Sequence, residues 1–309
     1  MFQGMHYVYE VYKEMSFSKA ARNLFISQPS LSAAVKKAEK QIGFPIFDRS
    51  SNHIQLTELG KEYIRSIEII MDVETGFQNY INDITELKSG TIAIGGTNLF
   101  ASYVLPPLLS RFTEQYPQVQ VDLVEATTSQ LTDRLFSGSL DLLIDNKNMD
   151  PAVYQKSFFC EEPLLLAVPI RLAVNEKMKN YALTASDIRE NRHLNSRIPP
   201  VPLENFQNES FLLLKSGNDT RSRADRICHN AHVLPKIKLE LDQQITAYNL
   251  SRYGMGISFC SDTLVRHVPD DEGLVYYKLD HKDALREVNF YYKRGRYMPR
   301  VVSTFLEMI

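Results

Sequence analysis

The stretch Ser16-Phe17-Ser18-Lys19-Ala20-Ala21-Arg22-Asn23-Leu24-Phe25-Ile26-Ser27-Gln28-Pro29-Ser30-Leu31-Ser32 decides how the chain is read. Ser18 is placed to cap a short helix in which Phe17, Ala20, Ala21 and Leu24 share one face, and the small alanines permit close packing. A turn through residues 23–26 follows. Ser27 then caps a second helix with Gln28 and Pro29 in its first turn, where the N–H that proline lacks would have no partner anyway. Leu31, Val35, Ala38 and Ile42 form the buried stripe of that helix, and Gly43 ends it. Upstream, Met5, Val8, Tyr9 and Tyr12 recur at helical spacing, which predicts a preceding amphipathic helix ending near Met15. Two such helices joined by a tight turn make a helix-turn-helix, whose second helix presents its N-terminal half to a DNA major groove.

The open side of that second helix carries Gln28, Pro29, Ser32, Ala33, Lys36, Lys37 and Lys40. Polar groups in front suit base edges and cations behind suit phosphates, although a solvated face on a three-helix bundle would carry the same residues. Downstream, Phe47-Asp48-Arg49 leads through a polar turn, residues 50–53, into Ile54-Gln55-Leu56, which alternates as a short strand should. This predicts a two-stranded wing carrying Arg49. Charge is divided accordingly: the first 60 residues hold seven Lys and Arg against five Asp and Glu, while the whole chain has a net charge of -2. A mildly basic head precedes a larger acidic body.

The blocks Ser16 to Leu24, Ser27 to Ser32, Phe47-Asp48-Arg49 and Leu56-Thr57-Glu58-Leu59-Gly60, in that order and at those distances, closely resemble the N-terminal signature of LysR-type transcriptional regulators. The length of 309 residues also fits that family. The resemblance implies an N-terminal, all-α winged helix-turn-helix over residues 1–57, with Gln28, Pro29 and Ser32 near the bases and Arg49 on the wing. The expected DNA-binding set is Ser27, Gln28, Pro29, Ser32, Lys36, Lys37 and Arg49. One position departs from the family: Ala33 stands where a basic residue is frequent. A bidentate Arg–guanine contact, typically worth ~1–3 kcal/mol of discrimination, is unavailable there.

From Thr57 the chain runs to Ser89-Gly90 without proline, with Gly60 in the first turn and Gly76 as the single glycine beyond it, which predicts a helix of roughly 45 to 50 Å at ~1.5 Å per residue over residues 58–89. Tyr63, Ile67, Ile70, Glu74, Phe77, Ile81 and Ile84 recur in alternating steps of four and three, the spacing of a coiled-coil seam. A core helix packed on its own body would show a similar stripe. The resemblance implies dimerisation through this helix, so Tyr63, Ile67, Ile70, Phe77, Ile81 and Ile84 are the expected seam.

Beyond Gly90 strands alternate with helices. Thr91 to Ile94, Leu99 to Gln115, Val119 to Val124, Leu131 to Phe136 and Leu140 to Ile144 read as a βαβαβ unit. Leu164 to Val168 opens a second set, continued by Phe211 to Leu214, Arg221 to Ala231, Ile237 to Leu241, Ile245 to Tyr253 and Gly256 to Cys260. The late strands Leu274 to Leu279 and Val288 to Tyr292, with a final helix Val301 to Ile309, are expected to return to the first lobe. Two α/β lobes joined by crossing connections resemble the periplasmic-binding-protein-like effector domain of the same family, with Pro117, Leu140-Asp141-Leu142 and Gly254-Met255-Gly256-Ile257 at its usual landmarks. Cys260-Ser261 stand where the family often has Leu-Pro. The expected lobes are residues 90–162 with 268–309, and residues 163–267.

In open α/β sheets ligands sit beyond the carboxyl ends of strands, against helix N-termini whose free N–H groups favour anions. Those positions hold Gly96, Thr97 and Asn98, then Thr127 and Thr128, then Lys215 to Thr220, and Gln243 with Gln244. Thr97, Asn98, Thr128, Lys215 and Gln243 are the expected contacts for a small effector, with hydroxyls, amides and one ammonium suited to a carboxylate. Plain helix caps would use the same residue types.

Composition excludes other classes. Hydrophobic residues at 44% and charged residues at 23% are globular values, and the longest apolar run, Pro163 to Ile170, is far short of the ~20 residues that cross a bilayer. No membrane partner and no basic-then-apolar leader is expected. Cys160, Cys228 and Cys260 are odd in number and form no CxxC pair, which points to a reducing, cytoplasmic setting. Cys228, His229 and His232 lack a second cluster, so no metal is expected. No GxSxG, HExxH or GxxxxGK[ST] motif appears, and neither an enzymatic activity nor a cofactor is expected. The sequence therefore reads as a DNA-binding regulator with a double-stranded DNA operator, a small-molecule effector and a homo-oligomer, dimer or tetramer, as its partners. Its rivals are a thiol-based redox sensor of the same architecture and a two-lobed binding protein or enzyme.

Overall fold

Residues 2–48, 54–84, 90–269 and 272–309 are described by a computed structural model, without the side chains of Asn79 and residues 82–84. Two compact units result: Met1–Leu87 with Asp133–Ser139 and Gly295–Arg300, and Lys88–Thr132 with Leu140–Arg294 and Val301–Ile309.

The first unit opens with α1 (Met5–Glu14), α2 (Phe17–Asn23) and α3 (Gln28–Ile42). Ser16, not Ser18, caps α2, its Oγ accepting from the Lys19 N–H at 3.3 Å. Both serines suit an N-cap. The earlier start makes Phe17 helical and sets its ring edge-on to Phe47 at 6.0 Å, while Ser18 turns its hydroxyl to Gln28. The wing pairs β1 (Phe47–Asp48) antiparallel with β2 (Gln55–Leu56), Phe47 opposite Leu56. Its expected tip, Arg49 with residues 50–53, lies outside the described residues. Helix α4 (Glu58–Ile84) starts from Thr57, whose Oγ1 accepts from the Gly60 N–H at 2.9 Å and donates to the Pro45 carbonyl at 2.8 Å. A Cβ on Gly60 would lie 2.1 Å from the Ile46 carbonyl oxygen, so the helix can approach the wing this closely only with glycine there. Val8, Val11, Ala20, Ala21, Leu31, Val35 and Ile46 pack with Ile64 and Ile67 of α4 into one core.

The second unit begins β3 (Thr91–Gly96), α5 (Leu105–Gln115), β4 (Gln120–Glu125), α6 (Thr128–Ser137), β5 (Leu142–Asp145), the last turn of α6 belonging to the first unit. The strands run parallel in the order β4-β3-β5, the expected βαβαβ unit. One helix was expected from Leu99 to Gln115; residues Phe100–Val104 instead form a π turn before α5. Pro106 and Pro107 remove two ladder donors, and the preceding turn loosens to compensate.

Next come β6 (Tyr154–Pro169), the short helices α7 (Val174–Lys177) and α8 (Ala185–Arg189), β7 (Ser210–Leu214), α9 (Asp219–Asn230), β8 (Lys236–Leu241), α10 (Gln244–Arg252), β9 (Ile257–Ser261), α11 (Asp262–His267), β10 (Leu274–Lys278), β11 (Leu285–Lys293) and α12 (Arg300–Met308). Strands β8-β7-β9 are parallel and repeat the first lobe's arrangement. Strand β6 belongs to both lobes: residues 154–163 pair with β11, and residues 164–169 pair with β9 and β10. Strand β11 lies between β5 and β6 in the first lobe, where Phe290 and Phe112 meet Phe305 of α12. The return of β10 to that lobe is corrected. It pairs with residues 165–169 of β6, burying Leu274, Tyr276 and Tyr277 in second-lobe cores, so the boundary expected at residue 268 falls too early.

Candidate functional site

Helix α3 is built to leave one face open. Leu31, Val35 and Ala38 are buried, while Gln28, Pro29, Ala33, Lys36, Lys37 and Lys40 are exposed and Ser32 is half-buried. Ser27 Oγ accepts from the Ser30 N–H at 3.2 Å, fixing the helix start where Gln28 and Pro29 project. Ser18 Oγ lies 3.5 Å from Gln28 Oε1, so the first turns of α2 and α3 meet at this edge. Glu39, which sequence reasoning passed over, turns back from α3: its Oε1 accepts from the Ile46 N–H at 3.0 Å and the Phe47 N–H at 3.3 Å, anchoring the base of the wing.

The expected seam on α4 is only partly available. Tyr63 and Ile67 are buried in the head core and Ile70 packs against it, with the Tyr63 ring stacked on Phe2 at 5.3 Å. Tyr63 and Ile67 are thereby closed to a partner, and that part of the expectation is corrected. Phe77 and Ile81 of the expected seam do face outward, Phe77 64% exposed, and Ile69, 41% exposed, and Val73, 67%, extend that outward apolar stripe toward the head. Ile84 ends the helix, and its side chain lies outside the described ones. On another face Asp72 is buried against Arg296, Oδ1 to Nε 2.6 Å, beneath Gly138, whose carbonyl accepts from the same guanidinium at 3.0 Å.

In the second unit the strand ends converge on a buried polar chain. Thr128 Oγ1, at the start of α6, donates to Asp145 Oδ2 at 2.8 Å, and the Lys147 N–H donates to Asp145 Oδ1 at 2.8 Å. Burial pushes the Asp145 carboxyl above the usual carboxylate range despite these donors. Arg286 of β11 donates to Glu162 Oε2 at 2.7 Å, and to Asp219 Oδ2 and Thr220 Oγ1, both at 3.0 Å. Burial works against its charge, but Glu162 and Asp219 outweigh that and hold it more firmly protonated than usual. Asn146 adds a donor to Glu162 at 3.1 Å from the first lobe, and Thr220, Gln244 and Ser261 continue the chain into the second.

Thr128 thus enters this constellation, as do Thr220 and Gln244, which stand at the strand ends singled out in the sequence. Other expected contacts do not. Asn98 is spent on Glu125 at 2.9 Å, and the Thr97 carbonyl takes the Ala101 N–H. Lys215 pairs with Asp242 at 2.8 Å on the surface, and Gln243 precedes α10 without a capping side-chain bond. Arg286, Glu162 and Asn146 were missed. The expected strand began only at Val288, whereas β11 starts at Leu285 and takes in Arg286.

The thiols are poorly suited to redox chemistry. Cys228 and Cys260 are buried and Cys160 is half-buried. Burial pushes Cys160 and Cys228 up to about 12 and raises Cys260 as well, so little reactive thiolate exists at neutral pH. Among the described residues no group of three metal-capable side chains converges, and no helix is long and apolar enough to cross a membrane.

Residues 2–61 match the model of the bacterial regulatory helix-turn-helix protein, lysR family, and residues 85–309 match the LysR substrate binding domain. The chain belongs to the LysR family of transcriptional regulators. LysR-type regulators are DNA-binding transcriptional regulators with an effector-binding domain, and both parts are present here. Among curated LysR-type relatives, the uncharacterized HTH-type transcriptional regulator YcgK of Bacillus subtilis (strain 168) is 28% identical over 307 residues, covering 98% of this chain and 92% of the relative. A probable RuBisCO transcriptional regulator of Synechocystis is 25% identical over 96% of this chain and 81% of its own. The LysR fold is shared with solved structures: a full-length OxyR variant from Pseudomonas aeruginosa superposes with TM-score 0.73 at 21% identity, covering 99% of this chain and 93% of that one. CbnR complexed with its target DNA gives TM-score 0.65 at 16% identity, covering 100% and 98%.

Proposed function

We propose that this LysR-type regulator acts in the cytoplasm as a homodimer, or a dimer of dimers, that binds an operator through Ser27, Gln28, Pro29, Ser32, Lys36, Lys37 and Arg49. The observation that carries it is the open face of α3, with polar groups at its capped start and Lys36, Lys37 and Lys40 behind them. Each phosphate neutralised releases counterions, so each contact adds ~0.9 to the slope of log affinity against log salt. Lys36→Ala and Lys37→Ala should each weaken duplex binding and flatten that slope by about one. An anisotropy titration in which neither variant changes the slope would refute the assignment.

The regulatory input is a small effector, a carboxylate, seated where the strand ends of the two lobes converge, within reach of Thr97, Asn98, Thr128, Lys215 and Gln243. Arg286 supports an exchange mechanism for such a ligand. The guanidinium is already shared by Glu162 and Asp219, so an effector carboxylate binds by taking it from one of them. Only a difference in affinity between the two arrangements shifts the lobes, and coupling of ~1–3 kcal/mol suffices for a switch. A thermal-shift screen of small carboxylates should yield a stabilising compound whose effect is lost on Thr128→Val. Undiminished affinity in Thr97→Val and Thr128→Val proteins would place the effector elsewhere. The raised thiols favour this input over oxidation of cysteine.

A further inference from the structure

Phe25 stands in the turn between α2 and α3, and 96% of it is exposed, the most of any large apolar side chain among the described residues. Its backbone lies at φ +54°, the left-handed region where a Cβ crowds the following carbonyl and where glycine or asparagine is the usual occupant. The turn demands that conformation. The Phe25 N–H donates to the Arg22 carbonyl at 3.1 Å and the Ile26 N–H to the Ala21 carbonyl at 3.0 Å, closing the end of α2. A large aromatic ring is therefore held where both backbone and water disfavour it, and neither folding nor solubility gains. Strain of this kind points to function when it is seen at a binding edge.

That edge is the one at which α3 begins. Phe25 precedes by two residues Ser27, the cap of α3, and the contact of Ser18 with Gln28 brings the first turns of both helices to the same place. We propose that Phe25 is a DNA contact, its ring packed on an apolar group at the rim of the groove that Gln28, Pro29 and Ser32 enter: a thymine 5-methyl or the face of a deoxyribose. Thymine methyls are the apolar landmark of the major groove, and a ring against one reads sequence without a charge. A protein partner covering Phe25 would occupy the space in front of Gln28 that the duplex needs. The inference rests on the DNA-binding role of the head.

The test uses the full-length protein and duplexes that the wild type selects from a random pool. Asparagine tolerates the left-handed turn, so Phe25→Asn should melt at or above the wild-type temperature while its affinity for those duplexes falls about tenfold. The salt slope should not change, because no phosphate contact is lost. Phe25→Leu, still apolar, should retain more affinity than Phe25→Asn. Replacing each selected thymine with uracil removes one methyl at a time. A loss seen with wild type and absent with Phe25→Asn identifies the methyl; a weak Phe25→Asn protein with no such uracil position identifies the deoxyribose. Equal affinity of wild type and Phe25→Asn for every selected duplex overturns the proposal, and so does a flattened salt slope. A wild-type protein that selects no duplex refutes the role of the head itself.

Discussion

Gly60 and Asp145 show how much a single position carries in this chain. At Gly60 a methyl group would meet the Ile46 carbonyl oxygen at 2.1 Å and the Thr57 hydroxyl at 3.1 Å. Gly60→Ala should therefore cost about 1–3 kcal/mol by overpacking, read as a lower denaturant midpoint for the head; an unchanged midpoint would mean that α4 and the wing separate freely. Asp145 is a different case, because burial raises its folded carboxyl above the unfolded value of about 3.9. Below both values the acid is protonated in either state and costs nothing. As pH rises through the raised folded value, the folded state binds the proton that the unfolded state has already released, so stability falls. Asp145→Asn keeps an acceptor for Lys147 and should flatten this decline, which urea melts between pH 4 and 8 would show; parallel curves for the two proteins would refute it. Thr128→Val removes a donor to the same carboxylate and should cost about 1–3 kcal/mol. The sequence pointed to Thr128 because a hydroxyl before a helix is a local signal. It hid Arg286, since a charge in a strand suggests a solvent-facing position, and only the register opposite Glu162 reveals that it is buried.

Helix α4 carries two apolar stripes, and spacing alone cannot rank them. Tyr63, Ile67 and Ile70 step by four and three, and Ile69, Val73 and Phe77 by four and four, and either spacing keeps side chains on one face of a helix. Packing separates them: the first lies in the head core and the second faces outward. Val73→Asp with Phe77→Asp should leave the melting of the head unchanged yet dissociate the dimer, because charges buried at the helix pair cost several kcal/mol. Sedimentation of an unchanged oligomer would remove the outward stripe from the interface. Ile67→Asp should unfold the head instead. Strand β6 was legible only from Leu164 onward, where six consecutive residues are buried, on both faces. Residues 154–163 mix buried, half-buried and exposed positions without alternation, so no period announces them as strand. Conversely α1, α3 and the parallel strands of both lobes were legible to within two residues at their ends, since apolar runs there are bounded by a cap, glycine or proline.

Across the whole molecule, the family and the order of its parts were carried by short local blocks, whereas the lobe boundary depended on pairings between distant residues. Peroxide at mild dose should form no specific disulfide among Cys160, Cys228 and Cys260, and a triple Cys→Ser variant should answer the same effector as the wild type. A single peroxide-induced disulfide found by mass spectrometry would restore the redox alternative. The position of β11 has a consequence for synthesis. It comes after every other strand among the described residues, yet it lies in the interior of the sheet, hydrogen-bonded to β5 on one side and β6 on the other. Until it arrives, both neighbours show open backbone edges to solvent, the kind of surface on which nascent chains aggregate. The sheet of the first lobe therefore cannot close before residue 293 has been made, and a message truncated before residue 285 yields a chain that chaperones must hold or proteases remove.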